Sequence, residues 1–296
     1  MSSKLIAKAK RLLAEEWRVF PEDRGALAPG QKGRLSVALA FPNRYYTAMS
    51  NLGFQTVFRL LNQQAETSCE RVFLPDPEDI EEYQRTETPL FSLESQRSLR
   101  SFDALAFSIS YENDFPFLLQ MLEMGKISIR REERTPSDPL IIAGGAPILM
   151  NPEPLADFVD LFVIGEAEDL VAPLAATLLQ AKEKGWSRER LLAGLAEIEG
   201  MYVPGFYEVH YHPDGTIAAF EPRGDCPRTI KRIWLPDLNS SLTVSSVLTP
   251  HTELSSMFLV ELSRGCPRGC RFCAGCYAYF PYRLRRPALL TEALRG

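Results

Sequence analysis

Short, uniformly apolar runs separated by helical stretches constrain this 296-residue chain more than any other feature. They are Arg34 to Phe41, Arg71 to Leu74, Ala104 to Ser110, Leu140 to Gly145 and Leu161 to Gly165. Helical spacing lies between them at 52–64 and 114–124 and follows the last at 168–183. A strand that is apolar throughout, rather than at alternate positions, is buried on both faces, as parallel strands are. Strands alternating with helices predict an α/β fold with a doubly wound parallel sheet. Its ligand site should lie beyond the carboxyl ends of the strands.

The glycines fit that expectation. Gly144-Gly145-Ala146-Pro147 and Gly165-Glu166-Ala167-Glu168 both follow strand ends, where backbone must come close to a ligand. Neither is a G-x-G-x-x-G fingerprint, and the first strand has no glycine-rich turn. A nicotinamide or flavin dinucleotide is therefore not expected.

Near the chain's end, Met257 to Leu262 reads as a buried strand. A loop follows it with Cys266, Cys270 and Cys273 spaced as C-x3-C-x2-C, and Cys276 just beyond. Three thiolates on one loop can hold three irons of a [4Fe–4S] cluster, whose full ligation by cysteine needs four. One iron then stays open. Gly265 and Gly269 let the backbone wrap closely, and Arg264, Arg268 and Arg271 favour thiolate over thiol. Structural zinc sites split their ligands into two pairs on separate loops. The ferredoxin run orders its spacings differently, and disulfides between such near neighbours would be strained. Cys276 reads as a packing residue first, with a fourth ligand or a substrate-side thiol as alternatives.

With Phe272 just before the last cysteine and a strand before the first, the loop resembles that of the radical S-adenosylmethionine (SAM) enzymes. The resemblance implies that Cys266, Cys270 and Cys273 hold a [4Fe–4S] cluster and that the open iron chelates SAM. It also implies reductive cleavage to a 5′-deoxyadenosyl radical, with Phe272 packed near the adenine and an external flavodoxin- or ferredoxin-like electron donor. The loop would follow the first strand of a (β/α) barrel. Gly144-Gly145, Asn151-Pro152-Glu153-Pro154, Asp160 and Gly165-Glu166-Ala167-Glu168 are similar to the cobalamin-binding domain of one branch of that family. Pro42-Asn43-Arg44-Tyr45 and Met49-Ser50-Asn51-Leu52-Gly53 add to the likeness. By this resemblance Gly144, Gly145, Gly165 and Glu166 face a corrinoid, and Tyr45, Tyr46, Met49 and Asn51 line its lower face. One departure matters. The D-x-H-x-x-G loop that supplies a lower cobalt ligand is missing, since the histidines are His210, His212 and His251. Cobalamin would have water, another side chain or nothing beneath it; loss of cobalamin, with the domain kept as a scaffold, is the alternative. Methyl transfer to carbon is the reaction such a pairing implies, with ring rearrangement and tRNA methylthiolation as runners-up.

Four regions follow: an N-terminal helix and extension at 1–33, closed by Pro21, the cobalamin-binding-like Rossmann domain at 34–200, a hairpin and linker at 201–254, and the start of a barrel at 255–296. The hairpin turns at Asp214-Gly215, with His210 and His212 on a solvated face. After Cys276 a helix is expected from Ala288 to Arg295, ending at Gly296. A barrel takes about 200 residues or more, so only its first βα unit is present. The chain reads as the front portion of a longer enzyme: a cut piece, a truncated frame, or one half of a pair whose partner chain carries the missing barrel half.

From Phe258 onward seven arginines meet two glutamates, a net +5, which leaves −10 on the rest of a chain of net charge −5. Offsetting an anionic cluster is favoured over nucleic-acid binding. No apolar run reaches the ~18–20 residues of a membrane span, and six cysteines without a signal peptide suit the cytoplasm. The contrasting class is a non-catalytic binding module with a metal-stapled tail.

Overall fold

The computed structural model describes residues 2–19, 35–224 and 226–295. Six strands form one sheet: β1 (Leu35–Phe41), β2 (Thr67–Phe73), β3 (Ala104–Ser108), β4 (Leu140–Gly144), β5 (Leu161–Val163) and β6 (Met201–Tyr202). Their order is β2-β1-β3-β4-β5-β6, parallel throughout except for β6. All seven residues of β1 are buried, as its central place requires. Between β1 and β3 the direction of winding reverses, and that reversal opens a crevice at the carboxyl edge.

Helices α1 (Ser3–Ala14), α2 (Leu52–Asn62), α3 (Pro77–Arg85), α4 (Phe115–Met124), α5 (Ala167–Lys184) and α6 (Arg188–Ala196) surround the sheet. Asn51 caps α2 by accepting the Phe54 N–H at 2.8 Å. Helix α5 carries Glu168 and Asp169 in its first turn and Lys182 and Lys184 in its last, which suits its dipole. Gly185, at φ +59°, ends it. Helices α2 and α5 pack side by side over one face of the sheet.

The second strand begins at Thr67, four residues before the apolar stretch that predicts it. The extra residues, Thr67, Ser68, Cys69 and Glu70, are buried all the same, and Glu70 accepts from the hydroxyls of Ser92 and Ser95 at 2.6 Å. Arg71 is fully buried. Its guanidinium donates to both oxygens of Glu16 at 2.8 and 2.7 Å and to Glu94 at 2.7 Å. Tyr45 donates its hydroxyl to Glu16 at 2.7 Å. Burial works against the Arg71 charge, but Glu16 and Glu94 outweigh it and hold the pKa above its ordinary value. This network ties the segment after α1 to the sheet, helped by a two-residue ladder between Trp17–Arg18 and Val247–Leu248. The expected strand start at Arg34, helix stop at Pro21 and chain end at Gly296 lie outside the described residues.

A hairpin of β7 (Tyr207–Tyr211) and β8 (Ile217–Pro222) follows, with Gly215 at φ +83° in the turn. Its register slips opposite His210 and Tyr211, where Ala218 is skipped on the partner strand, and His212 lies just past the strand; both histidines are exposed. The buried strand expected at 257–262 takes a different form. Phe258, Leu259 and Val260 are half-buried, and Val260 bridges Val244 in antiparallel fashion. The reason is its neighbours: among the described residues no parallel strand adjoins it on either side, so nothing covers a second face. The chain ends in β9 (Ser263–Arg264) paired antiparallel with β10 (Arg283–Leu284), then helix α7 (Pro287–Ala293). Among the described residues no helix is long and apolar enough to cross a membrane.

Replacing Arg71 by Met leaves Glu16 and Glu94 buried without their cation. The expected loss is about 3–5 kcal/mol of folding stability, read from the midpoint of urea unfolding.

Candidate functional site: a cavity beneath the cysteine loop

A cavity of about 660 Å³ runs between the sheet and helices α2 and α5 and opens at the carboxyl edge. Val37, Leu39, Ala106, Ile142 and Val163 line it from the strands, and Val57, Leu61, Leu170, Leu174 and Leu178 from the helices. Its depth is therefore apolar. Thr56, the polar side chain on the α2 wall, spends its hydroxyl on the Leu52 carbonyl at 2.8 Å. Polar groups gather at the mouth: Ser108, Ser110, Asn51, Glu166, Glu168, Thr243, Glu261, Ser263, Arg264 and Tyr279.

Five of the seven residues expected to face a cofactor from this domain and loop line the cavity: Asn51, Gly144, Gly145, Gly165 and Glu166. Two do not. Tyr45 is buried on the far side of the short turn Tyr45–Met49, against Phe73 and Glu16. Phe272 stands 92% exposed on the cysteine loop. Of the further lower-face candidates, Met49 packs its sulfur against the Arg71 guanidinium at 3.4 Å, and Tyr46 is exposed. Asn51 is engaged at both ends of its amide, with Phe54 N–H and with the Ser110 hydroxyl at 2.9 Å.

The glycines are required first by the chain itself. At Gly145, φ +121°, a Cβ would run into the Ile109 carbonyl. At Gly165 it would lie 2.6 Å from the carbonyl of Ile233, which crosses there in a parallel bridge. Gly144 has ordinary room and leaves the cavity floor bare.

Glu166 is not a free acid at the mouth. It accepts from Arg283 at 2.6 and 2.9 Å, from Arg264 at 2.8 Å and from the Leu235 N–H at 3.0 Å. Arg264 also donates to Glu168 at 2.6 Å and to Glu261 at 2.9 Å, and Arg285 donates to Glu261 at 2.5 Å. Three carboxylates thus meet three guanidiniums. Glu166 and Glu168 come from the sheet's edge, whereas Glu261 and the arginines come from the segment that carries the cysteines. Sequence reading placed Glu166 alone in the site and missed its partners. The signals were there: Glu261 and Arg264 stand three apart, and Arg283 and Arg285 alternate. Arg264 therefore does not lend the cysteine loop its charge; Arg268 and Arg271, both exposed, remain for that.

The loop itself rises from the β9/β10 stem. Gly265 sits at φ +81°, and a Cβ there would lie 2.5 Å from the Tyr279 carbonyl. Arg232 holds the returning strand by donating to the carbonyls of Ala278 and Phe280. Cys266 and Cys270 are exposed, Cys273 is half-buried and all three are free thiols. Cys276 is buried, with its thiol donating to the Cys273 carbonyl at 3.2 Å. The helical turn that holds it packs against the turn Ala146–Met150 after Gly145. Among the described residues no three His, Cys, Asp or Glu side chains converge as metal ligands. The donor set nevertheless suits iron–sulfur chemistry: three thiols on one glycine-hinged loop, with Gly269 at φ +60° and open space around it. Holding a cluster requires the loop to draw them together.

A family model for radical SAM proteins, N-terminal, matches residues 53–204. The chain belongs to that family. Membership brings SAM, and usually a [4Fe–4S] cluster, as the family's cofactors. The matched residues take in α2 through β6, hence most of the cavity, and stop short of the cysteine loop. An uncharacterized protein of Methanocaldococcus jannaschii, MJ0966, is 23% identical over 256 residues, covering 85% of this chain. The chain spans 43% of that relative's length. No solved structure matches.

Two outcomes follow for the loop stem. Changing Gly265 to Ala forces a side chain into strained backbone beside the Tyr279 carbonyl, at a cost of about 1–3 kcal/mol. Faster amide exchange confined to 262–285 is the expected reading. Acid should also release the stem. Burial raises the pKa of Glu166, but Arg283, the Leu235 N–H and Arg264 outweigh it and hold the carboxyl below its ordinary value; Glu261 behaves likewise with Arg264 and Arg285. A lowered pKa stabilises above the unfolded value and ceases to do so as pH falls through the folded one. Stability should therefore be constant near neutrality and decline below about pH 4. Trp234, stacked 5.2 Å from the Arg283 guanidinium, reports this by fluorescence once Trp17 and Trp186 are changed to Phe.

Proposed function

We propose that this chain is the front portion of a radical SAM enzyme whose cysteine loop and α/β domain hold two ligands against each other. Cys266, Cys270 and Cys273 hold a [4Fe–4S] cluster whose fourth iron takes SAM. When bound, that group supplies one-electron cleavage of SAM to a 5′-deoxyadenosyl radical. The supporting observation is that a single cavity is walled by the carboxyl edge of the sheet and by Ser263, Arg264 and Gly265. Gly265 is the residue before Cys266. A ligand in the crevice would therefore lie directly beneath the cluster loop.

For that ligand we favour a corrinoid, as the resemblance in the strand-end loops suggests. The strand order is that of doubly wound domains with a crevice beside the first strand. Gly144, Gly145, Ser108 and Ser110 keep the mouth low, and the apolar slot behind them can take an uncharged arm. Among the described residues no histidine lines the cavity; Asn51, Ser108 and Ser110 are polar side chains of this domain that would face the corrinoid there. Carbon methylation is the reaction this pairing implies. Phe272 and the exposed Tyr277 and Phe280 are then surfaces for whatever completes the barrel, and an external flavodoxin- or ferredoxin-like protein would supply the electron.

Anaerobic reconstitution with iron and sulfide tests the cluster. About four irons per chain are expected, with a brown charge-transfer absorption that is lost when Cys266, Cys270 and Cys273 are changed to Ala. One tightly held zinc, or colourless protein, would overturn the reading. Hydroxocobalamin retained through gel filtration supports the corrinoid, and its loss on Gly144→Phe places it in the cavity.

A further inference from the structure

The stem under the cysteine loop is too slight to hold the loop in place. Strands β9 and β10 are two residues each, and a two-stranded hairpin is marginal by itself. The loop's pose relative to the domain must come from contacts across the junction. Arg264 makes three of the hydrogen bonds to Glu166 and Glu168, Arg283 makes two, and the helical turn at Cys276 packs against Ala146–Met150.

Every face of the Arg264 guanidinium is in use. Its Nε donates to Glu261 at 2.9 Å, one terminal nitrogen to Glu166 at 2.8 Å and Glu168 at 3.2 Å, and the other to Glu168 at 2.6 Å and Glu261 at 3.1 Å. The side chain is 12% exposed. Glu166 and Glu168 follow β5 at the sheet's carboxyl edge, so the guanidinium bridges the α/β domain to the strand that leads into the Cys266 loop. Between Arg264 and Cys266 stands only Gly265, itself fixed against Tyr279. Arg264 is thus one intervening residue away from the first thiol. Arg264 also lines the cavity, so the residue that orients the loop is in contact with the crevice as well.

We propose that Arg264 is a positioning residue for the cluster: its three-carboxylate clamp fixes the Cys266 end of the loop relative to the cavity. This rests on the assignment of a cluster to Cys266, Cys270 and Cys273. The role needs a planar fork, because one ammonium offers three donors from a single point and cannot span Glu166, Glu168 and Glu261 together. Groups that orient the ligands of a metal centre, without touching the metal, typically change its retention about 10–100-fold when altered.

The experiment uses the full chain, reconstituted anaerobically, as wild type, Arg264→Lys, Glu168→Gln and Arg134→Lys. The last weakens a buried pair with Asp160 at the opposite end of the sheet and controls for lost stability alone. Two readouts are taken: the half-life of the visible absorption in EDTA, and the electron paramagnetic resonance line shape of the dithionite-reduced cluster, with and without SAM. The expected result is a half-life about 10-fold or more shorter in Arg264→Lys, with a smaller fall in Glu168→Gln. Both should show altered line shape, and Arg134→Lys should keep wild-type values for both readouts. If the wild type forms the cluster and Arg264→Lys matches it in both readouts, the positioning role is overturned while the cluster stands. The role is overturned equally if Arg134→Lys changes both readouts as much as Arg264→Lys does. If the wild type forms no cluster, both fall together.

Discussion

Ionised groups taken out of water must be answered by other charges, and the junction of this molecule is built on that requirement. Moving a carboxylate or guanidinium into a protein interior costs several kcal/mol even after relaxation. Attraction repays it only where the geometry is good and the remaining donors and acceptors are filled. Glu166, Glu168 and Glu261 against Arg264 and Arg283 meet that condition, while Arg285 pairs with Glu261 but keeps its Nε buried without a partner. The gain in stability from such a network is modest, since well-packed apolar residues could do as well. Its effect on geometry is larger. An apolar contact tolerates sliding, whereas six charged groups with fixed partners allow one register between the sheet edge and the cysteine-bearing segment.

That register encloses a space that packing alone does not explain. Protein interiors leave few voids larger than a water molecule. Taken as a dry hole, 660 Å³ at roughly 24 cal/mol per Å³ would cost about 16 kcal/mol. That is as much as the whole stability of a typical domain. A space of this size and lining persists because it is open and filled, by solvent or by a ligand. The sheet topology makes the crevice, and small residues at Ala106, Ser108, Gly144 and Gly145 keep it from closing. Helices α2 and α5 meet above it rather than in it.

The parts of this architecture readable from sequence are those set by local burial. The runs Leu35–Phe41, Ala104–Ser108 and Leu140–Gly144 are apolar because both faces are covered, and they lie in the sheet within two residues of their expected ends. Helix α3 escaped notice because its sequence, Pro77–Arg85, is mostly polar, and α6, Arg188–Ala196, because it is short and only Leu195 of it is fully buried. Glu70 lies in the extension of β2, and Arg71 at its expected start, against their own hydrophilic character. Partners up to 55 residues away in sequence satisfy them, and no window of sequence contains that information. Glu166 shows the same limit at the site. Its place after a strand pointed to a ligand, while the acceptor pattern it satisfies belongs to arginines 98 and 117 residues further on. Met257 to Leu262 erred in the other direction, since apolar residues suffice for burial only where neighbouring strands exist to bury them.

The basic character of the C-terminal segment also changes meaning once its contacts are counted. Arg264, Arg283 and Arg285 are largely buried and paired with carboxylates within the junction. Arg268 and Arg271 stand exposed on the loop with the cysteines between and beside them. Three thiolates gathered on one turn repel one another, and the carboxylates nearest the loop are already bound to guanidiniums. The two exposed arginines are therefore the local charges that can offset an anionic centre at Cys266, Cys270 and Cys273. Sequence counts a diffuse basic tail; the structure divides it into an internal brace and a small cationic rim around the thiols.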